Sequence, residues 1–335
     1  MKSEAGLSRS NMTKEKNSRI LIIGAGNIGR RHLQSFRLSK TVSSLLVVDP
    51  FADALSAAKE MVTESGMNAS VEYATSLDDV GDQIDAAIVA TSANGRLNIL
   101  RALLEMGVSN IILEKIAFNS LPDISAAEAL VSASNARVWV NCPRRIYPFY
   151  QALKERLSGA SFRRVSVRGN NYGLGSNGIH FIDIFSYIIG CADYRLNGDR
   201  ITEVVESKRA GYVEFFGSLV GQFSNGCELE LHCEHNASDG GIELVFETDR
   251  GSVTVLEAGG NIEIRQDGCL DATSGKAPYQ SELSGLLFDE MLTTGKCGLT
   301  AFGESMALHR PFIGAAYSAY ARHFGDNDGE IVPIT

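Results

Sequence analysis

The sequence lacks long apolar runs, and this excludes a membrane-spanning protein. No stretch approaches the ~20 consecutive apolar residues that a spanning helix requires. Residues 1–18 are polar and mixed in charge, without the apolar core of a signal peptide, so we expect a disordered tail there. We therefore expect a cytoplasmic protein that has no membrane partner.

Paired cysteines and clustered basic residues are also missing. The six cysteines of the 335-residue chain form no C-x-x-C pair, which indicates reduced thiols and not a disulfide framework. His232, Cys233 and His235 invite a metal site, but neighbours on a strand point to opposite faces, so no metal is predicted. Lys and Arg number 31 against 40 Asp and Glu, a net charge of −9 that argues against a nucleic-acid partner.

What the sequence does contain is a glycine fingerprint in residues 19–33, RILIIGAGNIGRRHL. A short apolar run at 20–23 predicts a buried strand, and the sequence from residue 30 onward predicts a helix. Between them, Gly24, Gly26 and Gly29 have G-x-G-x-x-G spacing. Gly24 suits a tight turn, Gly26 a close approach of a pyrophosphate, and Gly29 close helix–strand packing. The alternative is a purely structural glycine turn in another α/β protein.

An acidic residue in the expected place supports dinucleotide binding. A second strand is predicted at 44–48 and is followed by Asp49, twenty residues after Gly29. A carboxylate there suits the two hydroxyls of the adenosine ribose and repels a 2′-phosphate. We therefore expect NAD as the cofactor, favoured over NADP.

Alternating strands and helices continue through the first half of the chain. Strands are predicted at 71–73, 85–90, 108–113 and 137–140, and helices at 52–64, 98–106 and 121–134. This alternation predicts parallel βαβ units and a dinucleotide-binding domain over residues 19–142. Ligands bind beyond the carboxyl ends of such strands, where polar residues stand at 91–94, at 114–115 and at Asn141.

The pattern changes after residue 142. Strands without intervening helices predict a large, mostly antiparallel open sheet, so residues 143–335 are expected to form an α+β domain. Strands are predicted at 162–168, 201–206, 212–216, 228–234, 242–248, 252–256 and 261–265, and helices at 148–157, 180–189, 280–293 and 302–323. A loop rich in Gly and Asn is predicted at 169–178.

Two short groups of residues could carry chemistry. Lys115 follows a strand that should end beside the nicotinamide, and His180 with Asp183 has the i, i+3 spacing of one helix face. Hydride transfer at an alcohol carbon needs a group that moves the hydroxyl proton, which lysine or histidine can do. The alternatives are that Lys115 is a solvated surface residue, that His180 is a structural residue, and that Asp183 is a first-turn acid favoured by the helix dipole.

The order of these motifs resembles the Gfo/Idh/MocA family, the glucose–fructose oxidoreductase and inositol dehydrogenase group. The resemblance implies a Rossmann domain, a C-terminal domain with a large open sheet, and assembly into homodimers or homotetramers through that sheet. It also implies redox chemistry on a sugar, cyclitol or sugar derivative, including sugars made for surface polysaccharides.

The resemblance also implies roles by position. Lys115 would contact the reacting hydroxyl, and His180 would be the acid–base group with Asp183 beside it. Substrate contacts would fall on Arg145 and Tyr172. The amide-rich loop adds Asn177, because its donors and acceptors suit a polyhydroxylated ring. Cofactor contacts would fall on Gly24, Gly26, Asn27, Ile28, Gly29, Asp49, Thr91, Ser92, Asn94, Glu114 and Asn141.

Two departures from the family pattern leave other functions open. Ile116 stands where the family has a proline after Glu-Lys, and Ser176 stands where many members have an acid. A non-catalytic dinucleotide sensor or scaffold is one alternative, since fold does not fix function. An enzyme that uses bound NAD in a redox-cycled elimination or hydrolysis is another.

Overall fold

The structure is a computed structural model that describes residues 18–81, 83–236, 238, 240–267, 269–270 and 275–335. The tail predicted at residues 1–18 lies outside this range except for Ser18, which opens the first strand.

The first half forms a parallel sheet flanked by helices. Its strands are β1 (Ser18–Ile23), β2 (Val42–Val48), β3 (Ser70–Ala74), β4 (Ala86–Val89), β5 (Asn110–Leu113) and β6 (Arg137–Val140). Its helices are α1 (Asn27–Ser35), α2 (Ala52–Ser65), α3 (Arg96–Glu105) and α4 (Leu121–Ser132). The strand order β6-β5-β4-β1-β2-β3 confirms the predicted Rossmann fold. The order reverses between β1 and β4, where such sheets bind their ligands.

The second half is built on a nine-stranded sheet. It contains α5 (Pro148–Arg156), β7 (Phe162–Asn170), α6 (Leu174–Ile189), β8 (Tyr194–Glu206), β9 (Val213–Phe223), β10 (Glu228–Glu234), β11 (Ile242–Thr248), β12 (Gly251–Ala258), β13 (Asn261–Gln266), β14 (Cys269–Leu270) and β15 (Gly275–Lys276). Among the described strands of this second sheet, only β7 and β10 pair in parallel, which confirms a mostly antiparallel sheet. The apolar α6 packs on one face of this sheet.

The chain then returns to the first domain, which sequence reasoning did not predict. α7 (Ser284–Thr294), β16 (Thr300–Ala301) and α8 (Phe302–Phe324) complete the fold. β16 adds an antiparallel edge strand to β6, and Phe288 of α7 packs on Phe36 with ring centroids 5.4 Å apart. Both domains therefore share a packed interface. Within the described residues, no helix has the length and apolar character to cross a membrane.

The helix that carries His180 begins earlier than expected. α6 starts at Leu174, so part of the predicted loop at 169–178 is helical. The backbone N–H groups of Gly175 and Ser176 donate to the Glu214 carboxylate on β9, at 2.8 and 3.0 Å. This carboxylate satisfies first-turn donors that otherwise lack partners, a tertiary contact that local sequence does not reveal.

Candidate active site

The glycine turn between β1 and α1 has the shape that phosphate binding requires. Gly24 has φ +98°, and a Cβ on Gly29 would lie 1.8 Å from the Gly24 carbonyl oxygen. A Cβ on Gly26 would meet no atom within 4 Å, so the turn faces open space there. α1 has neither a side-chain cap nor an acidic residue in its first turn, which leaves its N–H groups available to an anion.

Asp49 lies at the end of β2 and is bound to this turn. One of its carboxylate oxygens accepts from the Ala25 N–H at 2.7 Å and the other from the Phe51 N–H at 2.9 Å. The side chain is 7% exposed and lines the cleft beside the glycines. Its position therefore depends on the turn itself.

A cleft of about 1150 Å³ runs along the carboxyl ends of β1, β2, β4 and β5. It is lined by nine of the predicted cofactor residues, Gly24, Gly26, Asn27, Ile28, Asp49, Thr91, Ser92, Asn94 and Glu114. Lys115 also lines it, whereas Gly29 and Asn141 are packed behind its wall. Lys208, Arg209 and Thr335 line it from the second domain, which sequence reasoning missed.

A buried polar network supports the wall of the cleft at Glu114. Its carboxylate is bound by His32 Nε2 at 2.8 Å and by Asn141 Nδ2 at 2.5 Å. Burial raises the pKa of Glu114, but His32, the Lys115 charge and the Asn141 hydrogen bond together outweigh it, and the pKa falls below its usual range. Glu114 is thus an acceptor, so His32 Nε2 carries the proton and Nδ1 faces the Ser284 hydroxyl at 2.6 Å. In the sequence, His32 is indicated by the Arg-His pair that follows the glycine fingerprint.

Arg96 stabilises the turn at residues 114–117 through hydrogen bonds to its backbone carbonyls. Its guanidinium donates to the carbonyls of Glu114 at 2.6 Å and Ala117 at 3.0 Å, and also to those of Ile116 and Thr91. The Lys115–Ile116 peptide bond inside this turn is cis. Burial lowers the pKa of Arg96 to about 10, so the side chain stays charged at neutral pH. Sequence reasoning missed Arg96, which offered no signal beyond its place after Gly95.

His309 holds the same turn from α8. Its Nε2 accepts from the Ala117 N–H at 3.1 Å, and its Nδ1 donates to the Ser305 carbonyl at 2.8 Å. The ring is fully buried, and this burial lowers its pKa to about 4. His309 is therefore a neutral structural group at physiological pH.

Lys115 and His180 are brought together by the start of α6. Lys115 Nζ donates to the Ser176 carbonyl at 3.1 Å, and Ser176 lies one helical turn before His180. Burial lowers the pKa of Lys115. Burial also holds the pKa of His180 well below its usual range, helped by the nearby Lys115 charge. His180 Nδ1 is buried with no hydrogen-bond partner among the described residues. The site thus places the Lys115 amine beside a neutral imidazole.

Asp183 has partners separate from His180. Its carboxylate accepts from Arg145 Nε at 2.7 Å and from the Thr300 hydroxyl at 2.6 Å. Arg145 also pairs with Glu304 at 2.8 Å. Asp183 is 1% exposed, and no hydrogen bond joins it to His180 among the described residues. The expected sharing of one cleft by His180 and Asp183 is thus replaced by a buried ion pair of Asp183 with Arg145.

Tyr172 and Asn177 flank the start of α6. The Tyr172 ring packs edge-on against Phe181 with centroids 5.3 Å apart, and its hydroxyl is buried without a partner among the described residues. Asn177 donates from Nδ2 to the Tyr172 carbonyl at 2.6 Å. The amide therefore fixes the turn that presents Tyr172.

Comparison with known proteins agrees with this architecture. Residues 18–142 match the model of the Gfo/Idh/MocA oxidoreductase family, which has an NAD-binding Rossmann fold. No curated protein matches the chain.

Solved structures share the fold over both domains at low sequence identity. An oxidoreductase from Agrobacterium radiobacter in complex with NAD⁺, L-tartaric acid and magnesium is 17% identical, with a TM-score of 0.70 over 92% of this chain and 97% of that one. A mutant 3-ketoreductase from Actinomadura kijaniata in complex with TDP-benzene and NADP is 16% identical, with a TM-score of 0.68 over 89% and 96%. The myo-inositol dehydrogenase from Lactobacillus casei in complex with NAD(H) and myo-inositol is 16% identical, with a TM-score of 0.66 over 92% and 96%.

These likenesses establish a two-domain fold, and the neighbours carry both NAD and NADP. Residues 18–142 are therefore similar to the NAD-binding Rossmann domain of the Gfo/Idh/MocA oxidoreductase family.

Proposed function

We propose that this protein is an NAD-dependent oxidoreductase that transfers a hydride between nicotinamide and a ring carbon of a sugar, cyclitol or sugar derivative. The observation that carries the proposal is the convergence of Lys115 and His180 near the cleft that the glycine turn opens. Neither residue alone would distinguish an enzyme from a nucleotide-binding scaffold.

The residues of the cleft fit a dinucleotide. The pyrophosphate would lie on Gly24, Gly26, Asn27 and Ile28, since this turn leaves open space and unpaired N–H groups. Asp49 would accept from the adenosine ribose hydroxyls, which favours NAD over NADP.

The nicotinamide half of the cofactor would run along a second group of residues. These are Thr91, Ser92, Asn94 and Glu114, and Asn141 would act from behind them by holding the Glu114 carboxylate. When bound, the cofactor would supply the acceptor or donor of the hydride.

Lys115 and His180 would handle the proton of the reacting hydroxyl. The lowered pKa of His180 keeps its ring neutral at physiological pH, so a ring nitrogen can take the proton as the hydride leaves carbon. Lys115 would donate a hydrogen bond to the same oxygen and offset the negative charge that develops there. In the reverse direction the same groups would return the proton.

The substrate class rests on the second domain and on the neighbours. The amide-rich segment with Tyr172 and Asn177 offers donors and acceptors for a polyhydroxylated ring. Arg145, whose guanidinium is held by Asp183, would contact the substrate beside this segment. A 3-ketoreductase and a myo-inositol dehydrogenase share the fold. We also propose that the protein is cytoplasmic and forms a homodimer or homotetramer through the C-terminal sheet. Surface polysaccharide synthesis is one process that we propose would use its product.

The test is a panel of sugars, cyclitols and nucleotide sugars with NAD or NADH, followed at the absorbance of reduced nicotinamide. We expect Lys115→Ala and His180→Ala each to lower kcat by about 10²–10⁴-fold, because each removes a group that moves or holds the hydroxyl proton. Exposed residues of the same types provide matched controls, Lys40→Ala and His323→Ala, which should leave kcat unchanged.

Three results would contradict the proposal in different ways. Undiminished turnover in both variants would remove the mechanism, and a strong preference for NADP would remove the role of Asp49. Cofactor binding without turnover of any panel member would favour the sensor or scaffold. Product formation without net NADH accumulation would favour redox-cycled elimination or hydrolysis.

A further inference from the structure

We propose that residues 207–212, the turn between β8 and β9, form a basic hairpin that binds the pyrophosphate of the dinucleotide from across the cleft. The second domain would then be part of the cofactor site. This inference rests on the proposed function, because it assumes that a dinucleotide occupies the cleft.

The basic hairpin belongs to the cleft by position. Lys208 and Arg209 both line it, opposite the glycine turn. The hairpin closes through the Ser207 N–H, which donates to the Tyr212 carbonyl at 2.7 Å, and the Tyr212 N–H, which donates to the Arg209 carbonyl at 3.2 Å. Its tip is therefore a defined turn that presents two cations to the cleft.

The base of the hairpin is fastened beside the chemical groups. The Val213 N–H donates to the Pro333 carbonyl at 2.8 Å, which joins the start of β9 to the segment ending at Thr335. The next residue, Glu214, accepts from the N–H of Ser176, whose carbonyl accepts from Lys115 Nζ. These contacts place the base of the hairpin beside Lys115. Its tip, with Lys208 and Arg209, lines the same cleft as the glycine turn.

The charges of the two side chains are available to an anion. Lys208 and Arg209 are exposed, and neither pairs with a carboxylate among the described residues. Arg209 donates to the Thr335 hydroxyl at 3.2 Å and lies over the Tyr212 ring, 4.8 Å from its centroid. On the opposite wall, Arg30 is held by the Ala25 carbonyl at 3.0 Å and by Asn27 Oδ1 at 2.8 Å.

Charge balance identifies the ligand group. The glycine turn offers partial positive charge from helix N–H groups, and Arg30 adds one cation, whereas a dinucleotide pyrophosphate bears two negative charges. The two cations of the hairpin would complete the neutralisation, and an arginine fork suits phosphate oxygens. The hairpin would also close the cleft over the cofactor and exclude water from the reacting carbon.

The test measures binding of NADH, ADP-ribose and adenosine to Lys208→Gln/Arg209→Gln. We expect the Kd values of NADH and ADP-ribose to rise about tenfold at low salt and to depend less on salt than in the unmodified protein. Adenosine, which has no phosphate, should bind equally to both proteins. The control is Lys40→Gln/Arg101→Gln, which removes the same two charges from exposed positions outside the cleft and should bind all three ligands normally.

The outcomes separate this inference from the proposed function. If the unmodified protein binds NADH and the double variant binds it equally well, the basic hairpin has no such role and the proposed function stands. If NADPH is titrated as a fourth ligand and the variant loses NADPH binding alone, the hairpin binds a 2′-phosphate and the inference is wrong. If the unmodified protein binds neither NADH nor NADPH, the proposed function itself fails.

Discussion

Arg96 shows how one buried side chain can organise a site. Its guanidinium satisfies carbonyl oxygens at Thr91, Glu114, Ile116 and Ala117, so a single charged group joins the loop after β4 to the turn that bears Lys115. A charge buried to this degree needs hydrogen bonds from its donors. Nη1 and Nη2 make them, whereas Nε is buried without a partner among the described residues. Here the acceptors are backbone atoms, which fixes the path of the main chain.

Arg96→Met should destabilise the fold, because it leaves several buried carbonyls without donors. We expect the free energy of unfolding to fall by about 3 kcal/mol or more in urea titrations followed by circular dichroism. The control lies on the same helix: Arg101 is exposed and donates only to Asn98 among the described residues, at 3.3 Å. Arg101→Met should change the value by less than about 0.5 kcal/mol. Equal effects of the two substitutions would show that Arg96 does not hold the turn.

At the scale of elements, the glycines of the β1–turn–α1 unit have different roles, one in folding and the other in ligand binding. Gly29 lets α1 approach β1, because any side chain there would collide with the Gly24 carbonyl. Gly26 has φ −64°, which every residue type adopts, and open space beside it. Its lack of a side chain therefore has no structural reason within the protein, which points to a ligand.

This division predicts opposite behaviour for two glycine substitutions. Gly29→Ala should lower the free energy of unfolding by about 2 kcal/mol or more, since the turn must move to admit the methyl group. Gly26→Ala should leave unfolding within about 0.5 kcal/mol of the unmodified protein while weakening NADH binding. Urea denaturation and NADH fluorescence titration measure the two effects. Normal NADH affinity in Gly26→Ala would contradict the placement of the pyrophosphate.

At the scale of the whole molecule, the two domains meet around the turn at residues 114–117. His309 of α8 accepts a hydrogen bond from the Ala117 N–H, and Ser284 of α7 joins the network around Glu114. β16 extends the first sheet. The proposed catalytic lysine thus stands on a turn that both domains hold.

The burial of His309 makes this interface sensitive to acid. Its pKa is about 4 in the folded protein and near 6.5 when unfolded, so below pH 6.5 the unfolded chain binds a proton that the folded chain refuses. The stability contribution is therefore full above pH 6.5 and is lost as the pH falls towards 4, by roughly 3 kcal/mol in all. His309→Gln keeps an acceptor without the titration. The difference in free energy of unfolding between the unmodified protein and this variant should shrink over that pH range.

The exposed His323 serves as the control for this titration. His323→Gln makes the same substitution at an exposed position. A constant difference between the unmodified protein and His309→Gln from pH 7 to pH 4 would show that His309 is not held neutral.

The sequence by itself determined the Rossmann half, the mostly antiparallel second sheet, and the candidates Lys115 and His180. These depend on short-range patterns: glycine spacing, apolar strands, helical periodicity and turn residues. Such patterns are written in neighbouring residues, so they can be recognised without knowledge of the fold.

Only the tertiary structure decided which side chains meet across the chain. The early start of α6 depends on Glu214, the path of the Lys115 turn on Arg96 and His309, and the second wall of the cleft on residues 207–212. The physical reason is common to all of them. A buried donor or acceptor needs a hydrogen-bond partner, and the packing of the chain decides which residue provides it. That partner lies tens to hundreds of residues away, so local sequence patterns do not identify it.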